Sequence, residues 1–147
     1  MSILERFMTY AQDFERTYSD DDWSRLDKHF TPDATYEVRG SPFACRLEGR
    51  AAIFRGIKKS LDGFDRKFPT RTLGITSPPA VEGDTVTIGW MGTYERPGAP
   101  PLTIRGVSVA RYTGDQIKEL SDTYGDDGGA AAEWFRAHGA DVNGSYI

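Results

Sequence analysis

An aspartate lies between two large side chains on one face of a predicted strand near the end of the sequence. In residues 117–124, strand alternation places Leu120, Asp122 and Tyr124 on the same face. Leu120 and Tyr124 favour a core, so we expect the carboxyl of Asp122 to point into an apolar pocket. Burial disfavours the charged form of a carboxyl and raises its pKa, which suits general acid–base catalysis. The alternative is a structural aspartate that hydrogen-bonds a neighbouring tyrosine or backbone amide, or one on the exposed face.

The other residue types that carry chemistry form no comparable arrangement in the sequence. Cys45, the single cysteine, cannot form an internal disulfide, and no histidine or acid lies beside it. Three consecutive aspartates at residues 20–22 fit helix capping better than a calcium loop, because the other loop ligands are missing. The sequence contains no phosphate-binding glycine loop, no G-x-S-x-G and no H-E-x-x-H motif. We therefore predict neither a metal site nor a cofactor site.

Composition and charge narrow the classes of partner. The chain has 147 residues, of which 38% are hydrophobic and 27% are charged, proportions typical of a globular protein. Its net charge of −4 argues against nucleic-acid binding, which requires a basic surface. No stretch approaches the roughly 18 apolar residues of a membrane span. Glu5 and Arg6 interrupt the first apolar stretch, where a secretory signal requires an unbroken one, so we predict a cytoplasmic protein.

Hydrophobic spacing predicts helices in the first half of the chain. Apolar residues recur at three- and four-residue steps over residues 3–18, which is typical of a helix with one buried face. A second helix is predicted to end at about Phe30. A third follows Gly49 and ends at Gly63. Two strands are predicted between the second and third helices, at residues 34–39 and 43–47, joined by a turn at Gly40, Ser41 and Pro42.

The second half of the chain changes to strands separated by turn residues. Strands are predicted at residues 70–76, 85–95, 102–112 and 116–124. They are separated by Ser77-Pro78-Pro79, by the proline-rich residues 96–101 and by Thr113-Gly114-Asp115. The last two connections have hairpin-like lengths, which predict antiparallel pairing. Residues 126–129 are predicted to form a loop and residues 130–138 a short helix, and the tail after Gly139 is expected to fray.

These elements predict one α+β domain over residues 1–147. Its core is expected at about residues 3–125, and residues 126–147 form the C-terminal loop, short helix and tail. Three helices from the N-terminal half, interleaved with one antiparallel sheet, must pack on one face of that sheet. A long, bent sheet with helices in its hollow leaves a cavity at the open end.

Three segments resemble the nuclear transport factor 2-like superfamily, in particular its SnoaL-like domains. Residues 23–36 include Phe-Thr-Pro-Asp-Ala at 30–34, which is similar to the family's entry into its first strand. Residues 47–53 include Gly-x-x-Ala-Ile, which is similar to the start of its third helix, and residues 117–124 match its last strand. With the element order, the resemblance covers about residues 3–125 and implies a cone-shaped, cystatin-like α+β barrel. The superfamily includes polyketide cyclases, ketosteroid isomerases, limonene-epoxide hydrolases and scytalone dehydratases.

The resemblance implies an acid–base role for Asp122. This residue matches the catalytic aspartate of limonene-epoxide hydrolases and of some cyclases, but the Arg-x-Asp pair of those hydrolases is replaced within residues 88–94. At the three catalytic positions of ketosteroid isomerases the chain carries Val38, Phe14 and Ser108, and a valine cannot transfer a proton.

Scytalone dehydratases require histidines in the pocket. His29 closes the second predicted helix, where a histidine usually compensates the helix dipole at the surface. His138 lies near the tail. Neither histidine is predicted to lie on a strand that faces the pocket.

The remaining prediction is an aromatic pocket for a flat hydrophobic molecule. Tyr36 and Tyr124 are the predicted partners of Asp122 in catalysis. The predicted lining consists of Phe14, Trp23, Val38, Ile88, Trp90, Tyr94, Ser108 and Leu120, for which plain core packing is the alternative. The predicted function is cofactor-independent isomerase, cyclase, dehydratase or hydrolase chemistry on a small hydrophobic molecule. The alternative is a non-catalytic ligand-binding or dimerisation module, and the threonine-rich outer sheet face favours a homodimer.

Overall fold

The computed structural model describes residues 1–40, 43–125 and 128–147. Ser41 and Pro42 of the predicted turn, and residues 126 and 127 of the predicted loop, lie outside the described residues. The helices are α1 (Ile3–Asp20), α2 (Arg50–Gly63) and α3 (Gly128–His138), with 3₁₀ segments at Trp23–His29 and Asp65–Lys67. The strands are β1 (Phe30–Arg39), β2 (Cys45–Glu48), β3 (Thr70–Glu82), β4 (Thr85–Glu95), β5 (Leu102–Thr113) and β6 (Gln116–Tyr124).

The strands form one open, mixed sheet in the order β2-β1-β6-β5-β4-β3. The predicted antiparallel pairing holds for every neighbouring pair except β1 and β6, which run parallel. A parallel pair requires a long connection instead of a hairpin, and here α2 and the meander β3–β5 lie between the two strands. The prediction of an α+β fold is therefore confirmed, whereas the prediction of a purely antiparallel sheet is wrong.

Strand β3 continues through the proline pair that was predicted to end it. Ser77 pairs with Gly89 of β4, and the register shifts on both sides of that pair before Ala80 meets Thr87. Because β3 is an edge strand, Pro78 and Pro79 remove no hydrogen bond from the interior of the sheet. Such register shifts are typical of β-bulges.

Helix α1 forms where the apolar spacing predicts it. The Ser2 side chain accepts a hydrogen bond from the backbone N–H of Glu5 at 3.2 Å, which satisfies one of the free donors at the helix start. The helix ends before Asp21, which has a left-handed φ of 62°. Phe7 and Tyr10 are buried on the face that packs towards the sheet.

The second predicted helix is a 3₁₀ helix, Trp23–His29, and β1 follows it without a loop. Leu26 and Phe30 are completely buried at this junction. The Phe30 ring packs edge-on against Tyr10 of α1 and Phe54 of α2, with centroids 5.4 and 5.5 Å apart. The junction therefore fixes α1 and α2 against the start of β1.

The residues after α3 pack against α2 instead of fraying. The backbone N–H of Asn143 donates to the carbonyl of Gly63 at 2.9 Å, and the Ser60 hydroxyl donates to the carbonyl of Gly144 at 2.7 Å. A Cβ at Gly63 would lie 2.1 Å from the Asn143 oxygen, so this close approach requires glycine. The docked segment brings Tyr146 into the interior.

No helix within the described residues is long and apolar enough to cross a membrane.

Candidate functional site

A cavity of about 260 Å³ lies between the helices and the sheet. Its walls come from α1, α2 and strands β1, β3, β4, β5 and β6, together with Tyr146 from the C-terminal segment. Glu15 on α1 and Leu73 on β3 line it and are also exposed to solvent. The cavity therefore opens between α1 and the edge strand.

The structure brings eight of the predicted residues to this cavity. The predicted catalytic group, Asp122 with Tyr36 and Tyr124, lines its wall. The predicted lining residues that also contribute are Phe14, Trp90, Tyr94, Ser108 and Leu120.

Three predicted lining residues pack elsewhere. Val38 is 1% exposed and lies in the core beside Asp122 in the β1–β6 register. Ile88 packs against the same core, next to Ser108 in the β4–β5 register. The indole N–H of Trp23 donates to Asp21 at 2.9 Å, and its ring packs on Phe14. All three belong to the core cluster or pack against it, and none of them lines the cavity.

Two hydroxyl groups hold the carboxyl of Asp122. Tyr36 donates a hydrogen bond to Oδ2 from β1, and Ser108 donates one to Oδ1 from β5. Both donors come from strands that flank β6, so the sheet register itself aligns the three groups. Asp122 as a residue is only partly buried, and it lines the cavity.

Burial raises the pKa of Asp122 above its ordinary value of 3.8, and the hydrogen bonds from Ser108 and Tyr36 oppose that rise. Burial also raises the pKa of Tyr36 well above 10, with the negative charge of Asp122 as a further cause. At neutral pH Tyr36 therefore keeps its proton and acts as a hydrogen-bond donor. Among the described residues, no cationic group contributes to the pKa of Asp122.

Tyr124 and Tyr146 form a second pair of hydroxyls near Asp122. Their oxygens are 3.4 Å apart, and both side chains line the cavity. Burial raises the pKa of Tyr146 to about 12 and that of Tyr124 well above 10. Sequence reasoning missed Tyr146, because the only signal for it was an isolated aromatic residue in a segment rich in Gly, Asn and Ser.

The Trp90 ring forms part of the cavity wall and lies against Gly106 of the neighbouring strand. Its ring packs edge-on against Tyr124 with centroids 5.9 Å apart. Gly106 is its register partner on β5, and a Cβ there would lie 2.5 Å from the indole. The glycine therefore gives the indole the space to lie against the sheet.

A polar cluster lies at the opening of the cavity. Arg71 donates to Asp65 and to Glu15, each at 2.9 Å, and its guanidinium lies 4.2 Å from the centre of the Tyr18 ring. Burial raises the pKa of Asp65, although Arg71 opposes that rise. Sequence reasoning missed this cluster, because its members come from α1, β3 and the segment after α2.

His29 is buried, contrary to the predicted surface position. Its Nε2 lies 2.8 Å from Oδ2 of Asp13 on α1, and both side chains are under 10% exposed. The pair does not line the cavity, so it has a structural role.

Cys45 is a free thiol whose pKa is raised by burial, which disfavours the reactive thiolate.

Within the part of the chain that the structure describes, no group of three or more His, Cys, Asp or Glu residues is placed to hold a metal ion. The groups that can act chemically are therefore the carboxyl of Asp122 and several hydroxyls inside the cavity and, at its opening, the guanidinium of Arg71 with the carboxyls of Glu15 and Asp65.

Similar structures share this arrangement of helices and sheet. A protein from Xanthomonas campestris with a cystatin-like fold has a TM-score of 0.67 and 19% identity, and the match covers 91% of this chain and 98% of that chain. A protein with a ketosteroid isomerase-like fold from Catenulispora acidiphila, in complex with trimethylamine, has a TM-score of 0.60 and 22% identity, and the match covers 81% of this chain and 87% of that chain. A candidate polyketide cyclase from Xanthomonas campestris pv. campestris has a TM-score of 0.58 and 17% identity, with 92% and 98% covered. Further neighbours are described as nuclear transport factor 2-like.

At these identities the structural matches establish the fold alone. No curated protein sequence matches the chain significantly. The sequence model of the SnoaL-like domain matches residues 11–120, which include the second half of α1, all of α2, strands β1–β5 and the start of β6. The chain therefore belongs to the SnoaL-like domain family, as the three sequence segments predict.

Proposed function

We propose that the protein binds a small, largely apolar molecule in this cavity and that Asp122 exchanges a proton with it. The reaction class is an isomerisation, cyclisation, dehydration or hydrolysis that proceeds by acid–base steps. The observation that carries the proposal is the carboxyl of Asp122, which faces the cavity while two hydroxyl donors hold it in place.

The hydrogen bonds leave the carboxylate able to act on a ligand. A carboxylate has about four acceptor positions on its two oxygens. Tyr36 and Ser108 occupy one on each oxygen, so acceptor positions remain. In an isomerisation, cyclisation or dehydration the carboxylate accepts a proton from a C–H or O–H of the ligand and later returns it to another ligand atom or to the departing hydroxyl. In a hydrolysis it accepts the proton from the attacking water and returns it to the oxygen of the ligand bond that breaks.

The tyrosine pair supplies a means of stabilising the charge that this step creates. When a proton leaves the ligand, negative charge develops on the ligand. Tyr124 and Tyr146 line the same cavity and remain protonated at neutral pH, so either hydroxyl can donate a hydrogen bond to that charge. Donors aligned in advance towards developing charge are a major source of catalysis.

The size of the cavity limits the ligand. A dry cavity of roughly 150 Å³ accommodates benzene, and sites for drug-sized ligands have volumes of roughly 300–1,000 Å³. A cavity of about 260 Å³ therefore suits a ligand of one or two rings.

Non-catalytic binding in the same cavity is the second candidate function. The observation that favours it is that no cationic side chain among the described residues assists Asp122. A binding protein would show affinity for small cyclic ligands but would release them unchanged.

The test is turnover of a panel of small cyclic enones and epoxides by the wild type and by Asp122→Asn. Asparagine has nearly the same shape but cannot serve as the base, so we expect a loss of kcat of about 10²- to 10⁴-fold with folding and binding retained. Asp33→Asn is the matched control, because Asp33 is exposed and pairs with Lys118 on the surface. Equal activity of Asp122→Asn and wild type would remove Asp122 from the mechanism, and binding without product would favour the second candidate.

We also propose that the protein forms a homodimer through the outer sheet face. Thr72, Thr93 and Thr103 lie side by side across β3, β4 and β5, opposite the buried face. Val107 on β5 is 41% exposed. Sedimentation at micromolar concentration should give twice the monomer mass, and Val107→Lys should lower it to the monomer value. A monomer mass for the wild type would contradict the proposal.

A further inference from the structure

Arg71 is the one cationic side chain among the described residues that line the cavity. It lies on β3, and two strands separate it from β6, which carries Asp122. In the sheet register, Arg71 pairs with Tyr94 of β4. Asp122 pairs with Ser108 of β5, which in turn pairs with Ile88 of β4, so the two residues lie at different positions along β4. The guanidinium and the carboxyl of Asp122 therefore mark different ends of the same cavity.

The guanidinium of Arg71 is held in a fixed orientation. Its side chain is 11% exposed, and its Nε donates to the equally buried Asp65. The Tyr18 ring lies 4.2 Å from the guanidinium carbon, within the range of a cation–π contact. The two terminal nitrogens of the guanidinium form a fork. An arginine whose fork is fixed in this way is suited to binding a carboxylate through two parallel hydrogen bonds.

Glu15 occupies that fork in the structure. Its two oxygens lie 2.9 and 3.5 Å from the terminal nitrogens of Arg71. Unlike Asp65, the Glu15 side chain is 47% exposed, and it belongs to α1 at the opening of the cavity. Because its side chain is half exposed, Glu15 can turn into water, and an incoming carboxylate would then take its place on the buried guanidinium. Asp65 would keep its hydrogen bond from Nε of Arg71. A ligand carboxylate in the place of Glu15 would therefore leave the number of negative charges bound to the guanidinium unchanged.

We propose that the ligand is a small carboxylate whose acid group replaces Glu15 on Arg71 while its apolar body extends towards Asp122. This inference rests on the proposed function, because it assumes that the cavity binds a small molecule. It adds the substrate class: a carboxylic acid of one or two rings with its reactive centre distant from the acid group. Arg71 is then a binding residue, and Glu15 occupies its fork in the unliganded protein.

Two probes of the same shape test the charge requirement. Binding of 3-phenylpropanoate and of 3-phenylpropanamide to the full chain is measured by titration calorimetry at neutral pH. We expect the carboxylate to bind at least about tenfold more tightly than the amide, since charge-assisted pairs are stronger than neutral ones. Equal affinities would overturn the inference and leave the proposed function standing, whereas failure of both probes to bind would overturn both.

Glu15→Gln separates ligand binding from a structural role of the cluster. Removing the competing charge should tighten binding of the carboxylate by about three- to tenfold and leave the amide unchanged. A merely structural ion pair predicts no gain in affinity, so an unchanged or weaker affinity for the carboxylate would contradict the inference.

Arg71→Met should abolish the preference for the carboxylate, so that the two probes bind with similar affinity. Arg66→Met is the matched control, because Arg66 also lies near the Tyr18 ring but pairs with Asp21 and Asp62 away from the cavity. Arg71→Met leaves Asp65 buried without its cation. If that variant does not fold, Arg71→Met combined with Asp65→Asn removes the unpaired charge and gives the same expectation. A preference for the carboxylate that persists without Arg71 would overturn the inference.

Discussion

The hydroxyl of Tyr36 donates a hydrogen bond to Oδ2 of Asp122, and this contact joins β1 to β6 where the two strands run parallel. From the other side of β6, Ser108 donates to Oδ1. The carboxyl is thus held by the two neighbouring strands of its own sheet, and the precision of the site follows from strand register.

Replacing Tyr36 by phenylalanine should raise the pKa of Asp122 further. Burial raises this pKa, and the Tyr36 hydrogen bond lowers it, so the variant loses one of the two groups that oppose burial. The midpoint of any pH profile controlled by Asp122 should move up by roughly half to one pH unit. The measurement is kcat/KM, or ligand affinity, against pH.

Tyr112→Phe is the matched control for this substitution. The Tyr112 hydroxyl is buried and forms no hydrogen bond with the described residues. Its removal should leave the pH profile unchanged and should not reduce stability, because it removes an unsatisfied polar group. Equal displacement of the profile in both variants would contradict the assigned role of Tyr36.

Asp122→Asn should alter the pH dependence of stability in a defined direction. The folded protein binds the Asp122 proton more tightly than the unfolded chain, whose carboxyl has a pKa near 3.8. Between that value and the raised pKa the folded state holds more protons, so the contribution of Asp122 to stability decreases as pH rises. It is fully present below pH 3.8 and is lost once the pH passes the raised pKa. The asparagine side chain does not titrate in this pH range, so it makes no such contribution.

The free energy of unfolding of Asp122→Asn, relative to wild type, should therefore increase with pH across that range and then level off. Urea unfolding at several pH values measures the difference. A difference that is constant with pH, or that falls as pH rises, would show that the folded protein does not raise this pKa.

Gly106→Ala should perturb the wall of the cavity. The added methyl group would lie 2.5 Å from the Trp90 indole and 2.9 Å from the backbone oxygen of Thr123. The indole must move into the cavity, with a loss of stability of about 1–3 kcal/mol and weaker ligand binding. Trp90 fluorescence and ligand affinity measure the change. Gly74→Ala on β3 is the control, because nothing lies within 4 Å of its added Cβ. If both variants bind ligand like the wild type, Trp90 does not form this wall.

His29→Ala should destabilise the fold by about 1–3 kcal/mol, because it removes a partner from the buried carboxylate of Asp13. Although burial acts to raise the pKa of Asp13, hydrogen bonds from His29 and Lys28 lower it below 3.8. The stability from this lowered pKa is therefore present above pH 3.8 and is lost as pH falls through the folded pKa. Thermal unfolding at neutral pH and in acid tests both expectations.

Lys28→Ala is the comparison for this pair, since the Lys28 side chain is 65% exposed. Its effect on stability should stay below about 1 kcal/mol. A similar loss of stability in His29→Ala and Lys28→Ala would show that the buried contact of His29 with Asp13 contributes no more to stability than an exposed ion pair.

Local pattern predicts the orientation of Asp122 because strand alternation depends on neighbouring residues alone. The same pattern places Trp90 and Tyr94 on the inner face, and both line the cavity. It cannot decide which inward side chains reach the cavity and which are covered by other residues. Val38 illustrates the limit, because it is inward but completely packed.

Contacts between distant segments are not encoded in any local pattern. The pair of His29 and Asp13 forms because the 3₁₀ helix returns against α1, and sequence spacing gives no sign of it. Arg71 meets Glu15 for the same reason. The prediction of a turn at Pro78 is wrong because proline interrupts an interior strand but is tolerated in an edge strand. Whether a strand lies at the edge depends on the pairing of the whole sheet, which local sequence does not show.

The parallel pairing of β1 with β6 also determines when the site can appear during folding. Tyr36 and Asp122 are 86 positions apart, and contacts of such separation require the intervening chain to lose much of its freedom first. An intermediate with formed helices and a β3–β5 meander would still lack the contact between Tyr36 and Asp122. During synthesis, the contact cannot form until β6 has left the ribosome. Recovery of ligand affinity after dilution from denaturant is therefore expected to follow the slowest folding phase of the chain.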